Sequence, residues 1–243
     1  MDRFLQGRTA LVTGSTSGIG LAIAQALASA GARVAINGLG TPEQIEAALK
    51  SVAEAGVDTR HFDADLRKRE QIAHMLEAVQ AWGNIDILVN CAGIQHAAPL
   101  AEQPPQKWDD IIAINLSAAF HTMQHALPGM AERGYGRVVN IASVHGLVAS
   151  KNKAPYVASK FGIVGLSKVA ALEYAAAGSR DVGNLNALRS ALSAANPSGG
   201  LDAALFDVSS AVAGRTVTRD ALMSIADSAS NALAAQAGVD LDQ

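Results

Sequence analysis

The sequence predicts an α/β domain built on a parallel sheet, and three observations carry that expectation. Short apolar runs of strand length alternate with longer segments whose apolar residues recur on a helical period. The first of these runs passes directly into a glycine-rich turn. A hydroxyl, a phenol and an ammonium then stand close together in the stretch from Ser143 to Lys160, SVHGLVASKNKAPYVASK, directly after another apolar run. With 243 residues, 49% of them apolar, and a formal net charge of −3, the chain suits one domain with a full core.

Thr9 to Thr13 is the first strand, and Gly14-Ser-Thr-Ser-Gly18-Ile-Gly20 follows it. The segment LAIAQALASA is helical by period and is closed by Gly31 as a C-terminal cap. Strand, glycine turn and helix in that order place a pyrophosphate on a helix N-terminus, where backbone N–H groups and the helix dipole favour anions. The spacing is G-x3-G-x-G, and a turn of this kind also serves as a tight connection; the flanking strand and helix favour cofactor binding. Arg33 to Asn37 is the second strand. It ends in Asn37-Gly-Leu-Gly, with neither an acidic residue nor a following Arg or Lys to clamp a 2′-phosphate, and Ser17 stands where a basic residue would do so. NAD is therefore favoured over NADP.

Thr41-Pro42-Glu43-Gln44 opens a helix with an N-cap, a proline in the first turn and a capping-box glutamine, and the helix runs to about Ala55. A third strand near Thr59 to Phe62 leads into Asp63-Ala-Asp65-Leu66. There one carboxylate either accepts from an adenine amino group or caps the helix Arg67 to Trp82. Ile85 to Val89 is the fourth strand. It ends in Asn90-Cys91-Ala92-Gly93, whose small residues leave room for a flat cofactor or make an ordinary turn. A long helix covers Gln106 to Ala126 and carries Asn115 in an apolar setting, where its amide bonds neighbouring backbone or holds water.

Several functional classes are excluded. The seven lysines are scattered and form no basic patch with aromatic residues, so no nucleic-acid partner is expected. No charged leader with an apolar run is present and no apolar run spans a bilayer, so a soluble, cytoplasmic protein without a membrane partner is expected. Cys91 is the single cysteine, which leaves no internal disulfide and no cysteine-based metal site. His121 and His125 have a metal-ligand spacing but no third ligand, and read as one face of a packed helix. No metal is expected.

The chemistry concentrates after the apolar run Arg137-Val-Val-Asn-Ile-Ala. Ser143 stands at that strand's carboxyl end, where open α/β sheets keep their reactive groups. Tyr156 and Lys160 lie four apart and share one face of a helix beginning near Pro155. A phenol titrates near about 10, and an adjacent fixed positive charge favours phenolate, bringing Tyr156 toward acid–base work at neutral pH.

Taken together, Thr13-Gly14-x3-Gly18-Ile19-Gly20, Asp65-Leu66, Asn90-x-Ala92-Gly93, Asn115, Ser143 and Tyr156-x3-Lys160 resemble the short-chain dehydrogenase/reductase family over residues 1 to about 176. The resemblance implies a doubly wound parallel sheet of Rossmann type and a catalytic tetrad of Asn115, Ser143, Tyr156 and Lys160. Tyr156 would transfer the proton and Ser143 orient the carbonyl. Lys160 would hold the nicotinamide ribose and lower the Tyr156 pKa, while Asn115 fixes a water in a proton relay. Cofactor contacts would fall to Gly14, Thr16, Ser17, Gly18, Ile19, Gly20, Asp65, Leu66, Asn90, Ala92 and Gly93, together with Tyr156 and Lys160. Cys91 departs from the asparagine common at its place. Asn37-Gly-Leu-Gly, Gly93-Ile-Gln95-His96, Ser143-Val-His145 and Asn152-Lys153 look like the 3-hydroxybutyrate dehydrogenase subfamily, in which Gln95, His145 and Lys153 would grip a substrate carboxylate beside Ser143 and Tyr156. The implied reaction is hydride transfer between NAD and a small 3-hydroxy or 3-oxo acid. A homo-oligomer is expected through the helices bearing Asn115 and Tyr156, a dimer more readily than a tetramer.

From about Gly178 the chain changes character. No Lys or Glu occurs beyond that point, and Ala, Ser and Asn dominate. Residues 1–177 thus read as the NAD-binding domain and 178–243 as an atypical Ala-rich tail, with helices expected near Leu185 to Ala195, Leu201 to Ala213 and Arg219 to Ala237. Gly183-Asn-Leu-Asn-Ala-Leu-Arg and Ala237-Gly-Val-Asp-Leu-Asp-Gln resemble the C-terminal region of flagellar hook-associated proteins. A tail without strands would leave the strand ending near Ser143 with an open edge and the nicotinamide side uncovered. A truncated or chimeric chain that binds NAD without turnover, its tail serving for interaction, is the alternative expectation.

Overall fold

The computed structural model describes residues 3–174 and 205–207. Strands β1 (Thr9–Val12), β2 (Arg33–Ile36), β3 (Thr59–His61), β4 (Ile87–Asn90), β5 (Arg137–Ile141) and β6 (Leu205–Asp207) form one sheet in the order β3-β2-β1-β4-β5-β6. The first five run parallel, and β6 pairs antiparallel with β5 from Val139↔Asp207 to Ile141↔Leu205. The strand order reverses between β1 and β4, which opens a crevice at their carboxyl ends.

Apolar runs form these strands because the sheet is covered on both sides. Alternate residues part to opposite faces. Ala10, Val12, Val34, Ile36, Ile87, Val89, Val139 and Ile141 pack against α1 (Gly18–Ser29) and α2 (Pro42–Ala53). Leu11, Ala35, Leu88 and Val138 face the other layer, which holds α3 (Arg69–Trp82) and the long helix α5 (Ala118–Glu132), with Ala170 of α6 (Ala154–Tyr174) at its border. The capping box expected at α2 is complete: Gln44 N–H donates to Thr41 Oγ1, and Thr41 N–H donates to Gln44 Oε1 at 2.9 Å.

Three local expectations are corrected. The helix expected over Gln106 to Ala126 is two helices, α4 (Pro105–Ile112) and α5, joined by a π-helical turn, Ala113–Ser117, that contains Asn115. The π-turn contains neither glycine nor proline, so nothing in its residue types marks a break in the helix. Within the helix expected over Leu201 to Ala213, Leu205–Asp207 is a strand, and the edge of β5 is paired there instead of open. Buried N–H and C=O groups on β5 demand partners, and that demand outweighs the helix preference of an Ala- and Leu-rich segment. The α3 N-cap is Lys68, without a side-chain bond, so neither Asp63 nor Asp65 caps that helix. The helices expected near Leu185 to Ala195 and Arg219 to Ala237 lie outside the described residues.

Candidate active site

The crevice at the carboxyl ends of β1, β4 and β5 is a cleft of about 650 Å³. Its floor is the turn after β1. Gly14 has a φ of 64°, and a Cβ built there would stand 2.6 Å from Ala92 Cα, so the two turns touch through backbone. A Cβ on Gly20 would strike the Gly14 carbonyl, which is why α1 starts so close to the strand. Thr13 ties the turns together: its Oγ1 accepts from Cys91 N–H at 3.1 Å and from Ala92 N–H at 3.3 Å. Ser15 N–H donates to the Asn37 carbonyl at 2.7 Å, fixing the β1 turn to the end of β2.

At the β2 end the cleft is lined by Thr16, Ser17, Gly38 and Leu39. Thr16 Oγ1 donates to Leu39 O, and the His61 ring bonds Gly38 O at 3.0 Å. Lys160 is the sole cation lining the cleft among the described residues. Asp65 also lines it, with its carboxylate held bidentate by Arg67 at 2.8 and 2.9 Å. The hydrogen bond to Arg67 holds the Asp65 carboxyl below the usual range, so it is an ionised acceptor.

Of the expected cofactor residues, Gly14, Thr16, Ser17, Ile19, Gly20, Asp65, Leu66, Ala92, Gly93, Tyr156 and Lys160 come together on this cleft, with Gln95 at its far end. Gly18 is the first residue of α1, and Asn90 lies beneath the cleft in a buried network. In that network Thr122 Oγ1 donates to Asn90 Oδ1 at 2.7 Å and Asn90 Nδ2 donates to Asn140 Oδ1 at 2.8 Å. Asn140 Nδ2 in turn donates to Ser167 Oγ at 2.9 Å. Four buried polar side chains thus bind α5, β4, β5 and α6 together under the site.

Lys160 is 4% exposed, and its Nζ donates to the Ile141 carbonyl at 2.7 Å. Burial pushes its pKa down to about 8. The ammonium stands 5.6 Å from the Tyr156 ring centroid, in the expected one-turn relation. A Cβ on Gly93 would lie 3.9 Å from Nζ, in ordinary contact, so the turn after β4 runs directly beside the ammonium. Burial also pushes the Cys91 thiol up to about 11, with the Lys160 charge acting against the rise.

Asn115 is 2% exposed, and its amide makes three hydrogen bonds. Ile94 N–H donates to Oδ1 at 2.8 Å, while Nδ2 donates to Ile94 O at 2.9 Å and to Ser159 Oγ at 3.3 Å. The amide thus bonds backbone of the loop after β4, one of the two roles expected for it. Ser159 Oγ donates in turn to the Tyr156 carbonyl at 2.7 Å, linking Asn115 to the helix that carries the phenol. Ser143 follows β5 in an extended conformation, and its Oγ accepts from His145 N–H at 3.2 Å. The His145 ring meets Tyr156 edge-on at 6.1 Å, and Lys153 Nζ lies 3.5 Å from His145 Nε2. A Cβ on Gly146 would stand 2.8 Å from the Lys160 carbonyl, so glycine there lets the Ser143 turn lie against α6. Sequence reasoning missed Ser159, Asn140 and Ser167. Their signal was present only as small polar residues inside apolar segments.

His121 packs edge-on to Phe120 with ring centroids 5.2 Å apart, and burial lowers its pKa. Among the described residues no three His, Cys, Asp or Glu side chains group as metal ligands, and no helix is long and apolar enough to cross a membrane.

The chain is similar to several known oxidoreductases. The chain is 54% identical over 177 residues to a D-beta-hydroxybutyrate dehydrogenase of Cupriavidus necator, covering 72% of this chain and 67% of that protein. It is 50% identical over 173 residues to the Rhizobium meliloti enzyme of the same name, covering 70% and 67%. A gluconate 5-dehydrogenase from Burkholderia cenocepacia, solved in complex with NADP and tartrate, superposes with a TM-score of 0.68 at 37% identity, covering 73% of this chain and 70% of that one. Residues 8–183 match the short chain dehydrogenase family, and with the glycine turn, the buried lysine and the tyrosine one helical turn before it in place, the chain belongs to that family of oxidoreductases.

Proposed function

We propose that this chain interconverts a small 3-hydroxy acid and its 3-oxo acid, using NAD. The observation that carries the reading is that Tyr156, which lines the same cleft as the glycine-turn cradle, has the His145 ring edge-on at 6.1 Å with Lys153 Nζ 3.5 Å beyond it. Filling that cradle with a Cβ at Gly14 or Gly20 would bring it onto neighbouring backbone, which fits a pyrophosphate lying directly on main chain. The bound nicotinamide supplies or accepts the hydride.

The remaining work falls to side chains. In the reducing direction Tyr156 donates a proton from its hydroxyl to the substrate oxygen as charge develops there. Ser143 Oγ hydrogen-bonds that oxygen and orients the carbonyl. Lys160, below its pKa of about 8 at neutral pH, presents a positive charge one helical turn from the phenol and holds the ribose. Asn115, through Ile94 and Ser159, holds the wall of the cleft at a fixed distance from Tyr156. Lys153 and His145, with Gln95 across the cleft, bind the substrate carboxylate by charge-assisted hydrogen bonds. NAD is favoured over NADP because Thr16, Ser17, Gly38 and Leu39 offer no cation to a 2′-phosphate. Phe120, Phe161, Val169 and Leu172 are exposed apolar residues on α5 and α6, and they support a homo-oligomer formed through those helices.

Steady-state kinetics with acetoacetate tests the reading. NADH should be preferred over NADPH by at least about tenfold, since an unpaired phosphate loses at least one charge-assisted hydrogen bond. Lys153→Met should raise KM for acetoacetate with little change in kcat. Equal use of both cofactors would overturn the NAD assignment, and an unchanged KM in Lys153→Met would overturn the carboxylate assignment. Binding of NADH with no turnover would instead favour a cofactor-binding module.

A further inference from the structure

We propose that Asn152 is a positioning residue for the acid end of the substrate site, holding Lys153 against His145 through a left-handed backbone conformation. This rests on the reading above, in which Lys153 and His145 bind the substrate carboxylate. Asn152 has a φ of 63° and is the one residue other than glycine with positive φ among the described residues. L-residues avoid that region because Cβ crowds the following carbonyl; asparagine and glycine are the residues that tolerate it. Its side chain is exposed, so core packing does not explain the conformation.

What the conformation does is visible in its neighbours. The Asn152 carbonyl accepts from Ala98 N–H at 2.9 Å, joining the loop that follows β4, and carries Gln95, to the loop that precedes α6. The next residue is Lys153, whose carbonyl accepts from Val157 N–H at 2.8 Å and so starts the first turn of α6. From that fixed backbone Lys153 Nζ reaches to 3.5 Å from His145 Nε2, and the His145 ring stands edge-on to Tyr156. One left-handed residue therefore sets the direction from which the lysine arrives and ties it to the opposite wall of the cleft. A residue with a Cβ and no tolerance for positive φ shifts this turn toward other conformations. The site then binds acid only in the fraction of molecules that keep the native turn, and apparent affinity falls by that fraction.

The test compares Asn152→Ala and Asn152→Gly in the full chain, with Lys153→Met and His145→Ala alongside, measuring KM for acetoacetate, KM for NADH and kcat. Asn152→Ala should raise the acetoacetate KM about five- to tenfold, with kcat and the NADH KM within about twofold. Asn152→Gly, which keeps the left-handed backbone, should return KM to within about twofold of the parent. An unchanged KM in Asn152→Ala would overturn the inference, as would an Asn152→Gly variant as impaired as Asn152→Ala. If Lys153→Met and His145→Ala raise KM while Asn152→Ala does not, the inference alone fails. If neither raises it, the carboxylate reading fails and the inference falls with it.

Discussion

Replacing Lys160 by Met should separate the cost of this site from its use. The ammonium is 4% exposed, and burial lowers its pKa from an ordinary 10.5 to about 8. At about 1.4 kcal/mol for each tenfold change in the proton equilibrium, holding the charged form in the folded protein costs about 3 kcal/mol at neutral pH. The sign follows from proton counting. Between about 8 and 10.5 the unfolded chain binds the proton and the folded chain does not, so this group makes stability rise with pH across that window. Above it the cost is gone, because both states are neutral. Methionine removes the charge but leaves the Ile141 carbonyl without its 2.7 Å donor, which costs about 1–3 kcal/mol at every pH.

The decisive quantity is therefore a difference of differences. Urea unfolding of the parent and of Lys160→Met, without cofactor and at one protein concentration, is measured near pH 7 and near pH 10. The parent should gain about 2–3 kcal/mol relative to the variant between the two. Cys91, whose folded pKa of about 11 lies above its ordinary 9.0, loses stability as pH rises in both proteins and cancels to first order. A stability gap that does not move with pH would refute the claim that a buried, charged Lys160 is maintained at the expense of stability. Activity should be lost in the variant whichever way the stability falls.

Three further outcomes are expected. Gly20→Ala would ordinarily help a helix by up to about 1 kcal/mol, but here the new Cβ meets the Gly14 carbonyl; stability should fall by about 1–3 kcal/mol in thermal melts, and NADH affinity should fall with it. Asn140→Ala removes the centre of the buried network, leaving the Asn90 amide unpaired, and should cost about 2–4 kcal/mol in urea unfolding, against about 1 for Ser167→Ala. Cys91 should react with iodoacetamide about 100-fold more slowly than a free thiol near pH 8, because a pKa of about 11 leaves little thiolate; labelling at the free-thiol rate would refute the raised pKa of this half-buried thiol.

Much of the sheet was legible because a parallel strand covered on both faces reads as a mainly apolar run: Thr9–Val12 and Ile87–Asn90 are buried at every position. The glycine turn and the Tyr156–Lys160 pair were equally legible, since each depends on local spacing. Long-range pairings were not. Nothing near Asn115 in sequence indicates that its amide closes on Ile94, and the bulged turn that carries it has no glycine or proline to mark it. Asp65 was read as a cap or an adenine acceptor; it does not cap α3, and its pairing with Arg67 is made in a turn where helical spacing rules do not apply. The strand at Leu205–Asp207 was hidden because its cause is the unpaired edge of β5, about sixty residues earlier in the chain.

The most direct test of the central claim, that these residues form a working centre for reducing a small 3-oxo acid, follows the near-ultraviolet absorbance of NADH with acetoacetate, in parallel for the parent and Tyr156→Phe. The parent should consume NADH only when acetoacetate is present, and the variant should bind NADH but turn over about 10²- to 10⁴-fold more slowly, the range expected for loss of a positioned general acid. Equal rates in the two proteins would contradict the assignment of Tyr156. A parent that binds NADH and leaves it untouched with acetoacetate would contradict the proposed reaction.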